Sequence, residues 1–449
     1  MYLPETVKVN NQNHLTMAGV DLVQLARTYG TPLYVYDEDL IRHNCRSYRD
    51  LLAKSYPDSR IAYAGKAFLT MAMCRLLQQE GLSLDVVSGG ELYLAYKAGF
   101  PMEKIYFHGN NKSASELKMA LELGVGRIVV DNRAELAQLA REAEKQGRSA
   151  AILLRVRPGV SAQTHHYIQT GQEDSKFGLG LSDGQLMAAV KEALKSPRIT
   201  LCGLHCHIGS QILEARPFFL AAQVMVAALQ EIHNKTGVAL PELNLGGGLG
   251  IRYTREDRPY SRSDFLQMLA RAVREKAEEL NYPLPQLTLE PGRSIVGEAG
   301  LTLYTVGHVK ELPGLRTYVP VDGGMTDNLR TALYEARYEA ALANRVVGEP
   351  LQKVTIAGKA CESSDIMIRD IELPAPQSGD ILAVFSTGAY HHSMFSHYNR
   401  HLRPAVVFLS RGQAALVAER ETYEELARLE RIPAHLQLEQ DAREEASGQ

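Results

Sequence analysis

Between residues 61 and 289 the chain alternates short apolar runs, rich in β-branched and aromatic residues, with longer stretches of helical period. The apolar runs begin near Ile61, Ser83, Lys104, Arg127, Ala150, Ile199, Glu242 and Gln286. Helices are predicted between them, for example over 70–80, 91–98, 115–123, 133–145 and 217–234. Eight strands alternating with helices predict a parallel (β/α)8 barrel, and an open doubly wound sheet shares the alternation. The strand ends favour the barrel. Nearly every run ends in Gly or a polar cluster: YAGK, DVVSGGE, FHGNN, VVDN, RVRPG, HCHIGS, NLGGGLG and EPGR. A barrel gathers all its C-terminal strand ends on one face and builds its site there, whereas an open sheet concentrates them at one switch point.

After residue 297 the pattern changes. Runs such as LTLYTVGHVKEL, RTYVPVD, KVTIAG, GDILAVF and PAVVFLS read as short strands separated by Gly and Pro turns, with no long helix before Thr422. That composition predicts a β-sandwich or small β-barrel domain. The expected division is a barrel over 36–297, a β domain from 1–35 with 298–432, and a polar, frayed tail over 433–449.

Composition narrows the class. At 449 residues, 45% hydrophobic and 22% charged, the chain has the balance of a folded two-domain protein. Its net charge of -3 offers no global basic field for nucleic acid or anionic lipid. The longest apolar stretch, 220–229, is too short to span a bilayer, and no signal peptide is recognised at the N-terminus. Five scattered cysteines argue against a disulfide framework and for a reducing, cytoplasmic setting. The 36 glycines are close to average in number, so their positions carry the information.

Several residues then stand out. Lys66 lies in the apolar run IAYAGKAF, where its charge is costly to bury. It is either a snorkelling lysine at a strand end or one that forms a Schiff base. Gly246, Gly247 and Gly248 follow the seventh strand; they make either a tight turn or an anion cradle, and barrels often bind phosphate after strands seven and eight. Glu290 and Arg293, around Pro291-Gly292 at the eighth strand end, form a surface ion pair or point into the barrel mouth. Cys202, His205, Cys206 and His207 look like a metal cluster, but strand alternation turns Cys206 away, and no second Cys/His pair stands at zinc spacing. No metal is expected there; His207 is read as facing the mouth, with the Ser210 hydroxyl at the strand end. Cys361 in CESSD is a plain thiol or a general acid placed by its loop. An aldehyde-carrying lysine, a phosphate cradle, a carboxylate and a stacking histidine on one barrel mouth are the equipment for pyridoxal phosphate, and a serine-triad hydrolase is not expected.

These stretches, with TGQEDSKFG, VDGGMTDNLRTALYEARY and GAYHHSMFSHYN, stand in the order found in a known family. Over about 31–404 the chain resembles the fold-type III pyridoxal-phosphate decarboxylases, and within them the branch acting on meso-diaminopimelate. The resemblance implies an alanine racemase-like fold. It implies that Lys66 is the Schiff-base lysine, His207 the residue stacked on the cofactor ring, and Glu290 the partner of the pyridine nitrogen. Ser210, Gly246, Gly247, Gly248, Gly292 and Arg293 would hold the phosphate, with Asp85, Pro291 and Tyr390 near the cofactor. Arg293, Arg330, Tyr334, Glu362 and Tyr390 match substrate positions, and Cys361 matches the proton donor. Cys361 and Glu362 would reach the site from a partner subunit, which implies a homodimer. The activity implied is conversion of meso-diaminopimelate to L-lysine. The chain departs from the family pattern at Ser364 and at His391, His392 and His397, positions near the mouth in the family. The histidines are the one feature pointing to a paralogue that acts on a related amino acid, such as ornithine, lysine or a carrier-bound substrate.

Overall fold

The computed structural model describes residues 3–160, 175–348 and 350–437. All eight predicted apolar runs are strands: β1 Ser59–Ala64, β2 Ser83–Val86, β3 Ile105–Phe107, β4 Arg127–Val130, β5 Ala150–Arg157, β6 Ile199–His205, β7 Glu242–Asn244 and β8 Gln286–Leu289. Each pairs in parallel with the next, and β8 pairs back onto β1 through Leu287↔Ser59. The ring is therefore closed, and the open-sheet alternative is excluded. A cluster of Ala62, Tyr106, Val129, Leu153 and Cys202, one from each of five strands, fills the barrel interior. The register of β6 on β5 shifts between Leu201 and Gly203; a Cβ on Gly203 would stand 1.9 Å from the Glu242 carbonyl oxygen, so only glycine admits that approach.

The helices form where an apolar stripe repeats at helical spacing. Arg216–Thr236 buries Phe218, Ala222, Met225, Leu229 and Ile232 against the barrel. Ala114–Leu123 starts from a capping box, with Ser113 and Glu116 satisfying each other's backbone N–H. Met71–Gln79, Gly89–Lys97, Arg133–Gln146, Gln185–Lys195 and Arg262–Glu279 stand with them between successive strands in the outer ring. The helix expected from Thr422 is a single five-residue turn, Tyr423–Ala427: its Thr422/Glu425 capping box starts it, but none of its residues is buried. Thr170–Asp174 of TGQEDSKFG and the tail beyond 437 lie outside the described residues.

The second body consists of sheets. Six strands run in the order Ala340–Leu342, Ile381–Phe385, Gly300–Thr305, Leu33–Asp37, Ala405–Ser410, Gln413–Ala418, so the N-terminal strand Leu33–Asp37 sits inside a sheet made otherwise by the C-terminal half. A four-stranded sheet (Lys310–Leu312, Arg316–Pro320, Leu351–Ala357, Ile366–Pro374) faces it. Tyr304, Leu342, Leu382 and Val384 from the first sheet share one core with Val319, Val354, Ile356 and Leu373 from the second. This body touches the barrel where β1 ends: Tyr36 stacks on Phe68 at 4.1 Å, and the Tyr390 N–H donates to the Ala67 carbonyl at 2.8 Å. No described helix is long and apolar enough to cross a membrane.

Candidate active site

The C-terminal ends of the barrel strands enclose a cavity of about 510 Å³, lined among others by Lys66, Asp85, His207, Glu290 and Arg293. Lys66 sits on a single 3-10 turn, Gly65–Ala67, directly after β1. The turn is pinned from both sides. A Cβ on Gly65 would meet the Asp85 carbonyl at 2.8 Å, and the Ala67 carbonyl accepts the N–H of Tyr390, itself held at φ 65. A left-handed tyrosine is strained, and such strain persists where surrounding contacts fix it. Lys66 thus stands at the strand end with its side chain half-buried on the cavity wall.

Opposite, Glu290 is buried and accepts three hydrogen bonds: from His108 Nε2 at 2.8 Å, His205 Nε2 at 3.1 Å and Asn244 Nδ2 at 2.7 Å. Burial alone would raise its pKa; the two imidazoles more than offset that and hold it well below the usual range. The carboxylate is ionised. Asp85, also buried, has one oxygen with no hydrogen-bond partner, and burial raises its pKa. Burial, then the charges of Lys66 and Arg155, push His207 well below its ordinary value, so its ring is neutral.

A third wall is built from glycines. Gly246 has φ 67 and Gly248 φ 118, and a Cβ on Gly247 would stand 2.0 Å from the Glu290 carbonyl oxygen. The Gly247 N–H points to His207 Nδ1 at 3.4 Å. Across from this loop Ser210 Oγ accepts from Arg293 Nη2 at 2.8 Å. Replacing Gly247 by alanine is expected to lower stability by about 1–3 kcal/mol, the usual cost of forcing a methyl into a packed site. The shift of the urea midpoint measures it, and an unchanged midpoint would show that the loop yields.

Arg293 and Arg330 lie side by side among tyrosines. Arg293 bonds the Tyr253 hydroxyl, and Arg330 Nε donates to Tyr338 Oη at 2.9 Å. Both guanidiniums lie over the Tyr390 ring, at 4.7 and 5.6 Å, and Arg330 lies 5.3 Å from Tyr334. Both are buried, line the cavity, and form no ion pair among the described residues. Buried cations call for an anion, and none of the described residues supplies them a carboxylate.

The cavity brings together Lys66, Asp85, His207, Ser210, Gly247, Gly248, Glu290, Gly292, Arg293, Arg330, Tyr334 and Tyr390. Gly246 and Pro291 stand just behind it, against His207 and Gly247. Cys361 and Glu362 do not line it; they lie exposed on the loop after Leu351–Ala357, where the Cys361 N–H is held by Asn399. The three histidines expected near the mouth do not line it either. His391 is buried edge-on to Tyr338, His392 packs against Tyr34 and Phe68, and His397 pairs with Glu421 at the surface. The spelling Gly-x-Ser-x-Gly does occur, at 180–184, but Ser182 is exposed and outside the cavity.

Sequence reasoning missed His108, His205, Asn244, Arg155 and Tyr253. It set His205 aside with the zinc cluster, and it had no register to bring His108 from β3 to β8. His108, His205 and Glu290 hold their ligand atoms within 4.8 Å of one another, near enough for a metal ion, yet their N–O separations are those of hydrogen bonds. The available signal was the polar end of every strand: in a closed barrel each of those ends reaches the same mouth.

Residues 38–297 match the family model of the pyridoxal-binding domain of pyridoxal-dependent decarboxylases. The chain is 53% identical to a diaminopimelate decarboxylase of Bacillus subtilis over 96% of its own length and 98% of that protein's. Its fold is similar to a diaminopimelate decarboxylase from M. jannaschii crystallised with L-lysine, at TM-score 0.91, 37% identity and coverage of 97% and 100% of the two chains. A lysine/ornithine decarboxylase from Vibrio vulnificus shares the fold at TM-score 0.74 and 22% identity, covering 90% of this chain and 100% of that one.

Proposed function

The chain belongs to the pyridoxal-dependent decarboxylase family, and from that membership we propose that it decarboxylates meso-diaminopimelate to L-lysine and carbon dioxide, the last step of lysine biosynthesis. The buried pair Arg293 and Arg330, which line the same cavity as Lys66 and have no carboxylate partner among the described residues, carries this reading. An amino acid with a second carboxylate at its far end supplies the anion that such a pair lacks.

The residues present fit pyridoxal phosphate as cofactor. The cavity offers a lysine amine for the aldehyde, an ionised carboxylate for a protonated ring nitrogen, a neutral imidazole for the ring face and a glycine cradle that no Cβ could enter. When bound, this cofactor supplies the electron sink for the pair left as carbon dioxide departs. We assign Lys66 to hold it through its amine, His207 to stack, Glu290 to keep the ring nitrogen protonated, and Asp85, Pro291 and Tyr390 to flank it. Ser210, the glycines 246 to 248, Gly292 and Arg293 bind the phosphate. Arg293 and Arg330 with Tyr334 and Tyr390 orient the substrate and exclude water from its carboxylates. Catalytic roles fall to Lys66, His207 and Cys361, whose thiol delivers the proton that replaces the lost carboxylate.

Cys361 and Glu362 are exposed in the single chain. We therefore assign them to the cavity of a second copy, in a homodimer whose sites are shared. Glu362 then offers the anion for the substrate's distal ammonium. The same reading divides the chain into a cofactor-binding barrel over 36–297, a β domain of 1–35 with 298–432, and a polar tail over 433–449. It places the protein in the cytoplasm, free of nucleic-acid and membrane partners.

The test is a product assay on purified protein. Lysine release from meso-diaminopimelate should depend on pyridoxal phosphate and exceed turnover of ornithine or lysine by about 10⁴-fold, since an analogue lacking the distal carboxylate leaves Arg330 buried and unpaired. Equal rates on all three would favour the paralogue reading. That reading rested on His391, His392 and His397, and none of them lines the cavity.

A further inference from the structure

Glu290 receives three N–H donors from three different strand ends. Its Oε1 accepts from His108 after β3 and from Asn244 on β7, and its Oε2 accepts from His205 on β6. A carboxylate has about four acceptor directions. Three are taken, and Glu290 lines the cavity with what remains. Asn244 Nδ2 donates whatever the tautomers, and with hydrogen on both imidazole Nε2 atoms the network closes around the ionised carboxylate.

The imidazoles are themselves fixed. His205 Nδ1 is buried with no hydrogen-bond partner, so a proton there would be an unsatisfied donor. The ring is the neutral tautomer that carries its hydrogen on Nε2. Burial agrees, pushing its pKa down to about 3. His108 is delivered by an anchored loop: the buried Lys112 ammonium donates to the carbonyls of Gly109 at 2.7 Å and Val129 at 2.8 Å and pairs with Glu135 at 2.8 Å. The two rings meet edge-on at 4.6 Å, which places both Nε2 atoms on one carboxylate.

We propose that His108 and His205 are positioning residues that act through Glu290: their two Nε2–H donors keep its carboxylate ionised and its last acceptor aimed into the cavity, so that a ring nitrogen docked there keeps its proton. The proposal rests on the reading that the cavity takes pyridoxal phosphate. Its sign follows from proton sharing. Each donor lost makes the carboxylate more basic, and the proton shared between Glu290 and the ring nitrogen moves toward the carboxylate. The other groups facing this point are Asp85, whose Oδ1 lies 3.8 Å from His108 Nε2, together with Lys66, Arg155 and His207, and all of them stay in place in the variants below.

The experiment uses holoenzyme reconstituted with pyridoxal phosphate carrying nitrogen-15 in the ring, read by nuclear magnetic resonance at neutral pH. The parent should show a protonated ring nitrogen. His108→Leu combined with His205→Leu should bind the cofactor but lose that signal in favour of the unprotonated one. His108→Gln with His205→Gln, which returns an N–H at each place, should restore it. If the double leucine variant melts out, each single leucine variant gives the same reading as a partial shift. A ring nitrogen that stays protonated in the leucine variants overturns the proposal and leaves the cofactor reading standing. A parent that takes up no pyridoxal phosphate sinks the cofactor reading, and the proposal with it.

Discussion

Lys66→Ala is expected to abolish lysine formation from meso-diaminopimelate, by about 10⁵-fold or more. That is the lower end of the advantage a positioned intramolecular group has over one in solution. The size follows from the place of the residue. Its turn is clamped between Asp85 on β2 and Tyr390 from the β domain, which fixes where the amine stands. The substitution removes a half-buried side chain from a cavity wall and leaves Gly65, Ala67 and Phe68 untouched. Folding should therefore survive, and a thermal melt within a few degrees of the parent's checks it. The second readout is optical: the visible absorbance of lysine-bound cofactor should disappear while loosely held pyridoxal phosphate is lost on gel filtration. A Lys66→Ala protein with undiminished turnover would overturn the cofactor assignment as a whole.

The reasons why Lys66 was legible in the sequence, and His108 was not, are physical. A lysine in an apolar run violates burial rules locally, so one window of residues reveals it. The barrel was legible for a similar reason: short apolar runs and period-3.6 stretches are local, and eight such runs alternating with helices leave few topologies. The glycines 246 to 248 announced a close approach without naming what approached; the structure supplies the Glu290 carbonyl and the His207 ring. His108, Asn244 and Tyr253 violate nothing locally. Their role arises only when the ring closes and strands distant in sequence present their ends to one point, and strand alternation alone cannot supply that register. His391 and His392 mislead in the opposite direction. They look like site residues because they depart from the family pattern at positions near the mouth, yet one packs against Tyr338 and the other against Phe68. The five-residue helix after Thr422 shows the same limit: its capping box is a sound start signal, but no apolar stripe follows to extend it.

For Cys361→Ala the expected outcome is a fall in turnover of about 10²–10⁴-fold, the range for losing a positioned proton donor, with cofactor absorbance retained. Loss of the cofactor instead would show that the thiol is no general acid. The stronger experiment mixes this variant with Lys66→Ala. In the single chain Cys361 lies on an exposed loop and is not among the residues lining the cavity with Lys66; the proposed shared-site dimer brings the two together. Neither variant alone can form a complete site. A mixed dimer can: the subunit with intact Lys66 receives the intact Cys361 of its partner, while the other site of the same dimer carries both defects. Random reassociation makes about half of all dimers mixed, each with one working site of two, so activity should return to about a quarter of the parent's. Recovery must follow subunit exchange, appearing after mild dissociation and dilution and not on simple mixing of assembled dimers. No recovery under conditions where exchange is demonstrated by a tag would mean that Cys361 serves its own chain, and the exposed loop would then have to fold back across the cavity mouth to reach it. The experiment thus separates two geometries that make the same prediction for each single variant.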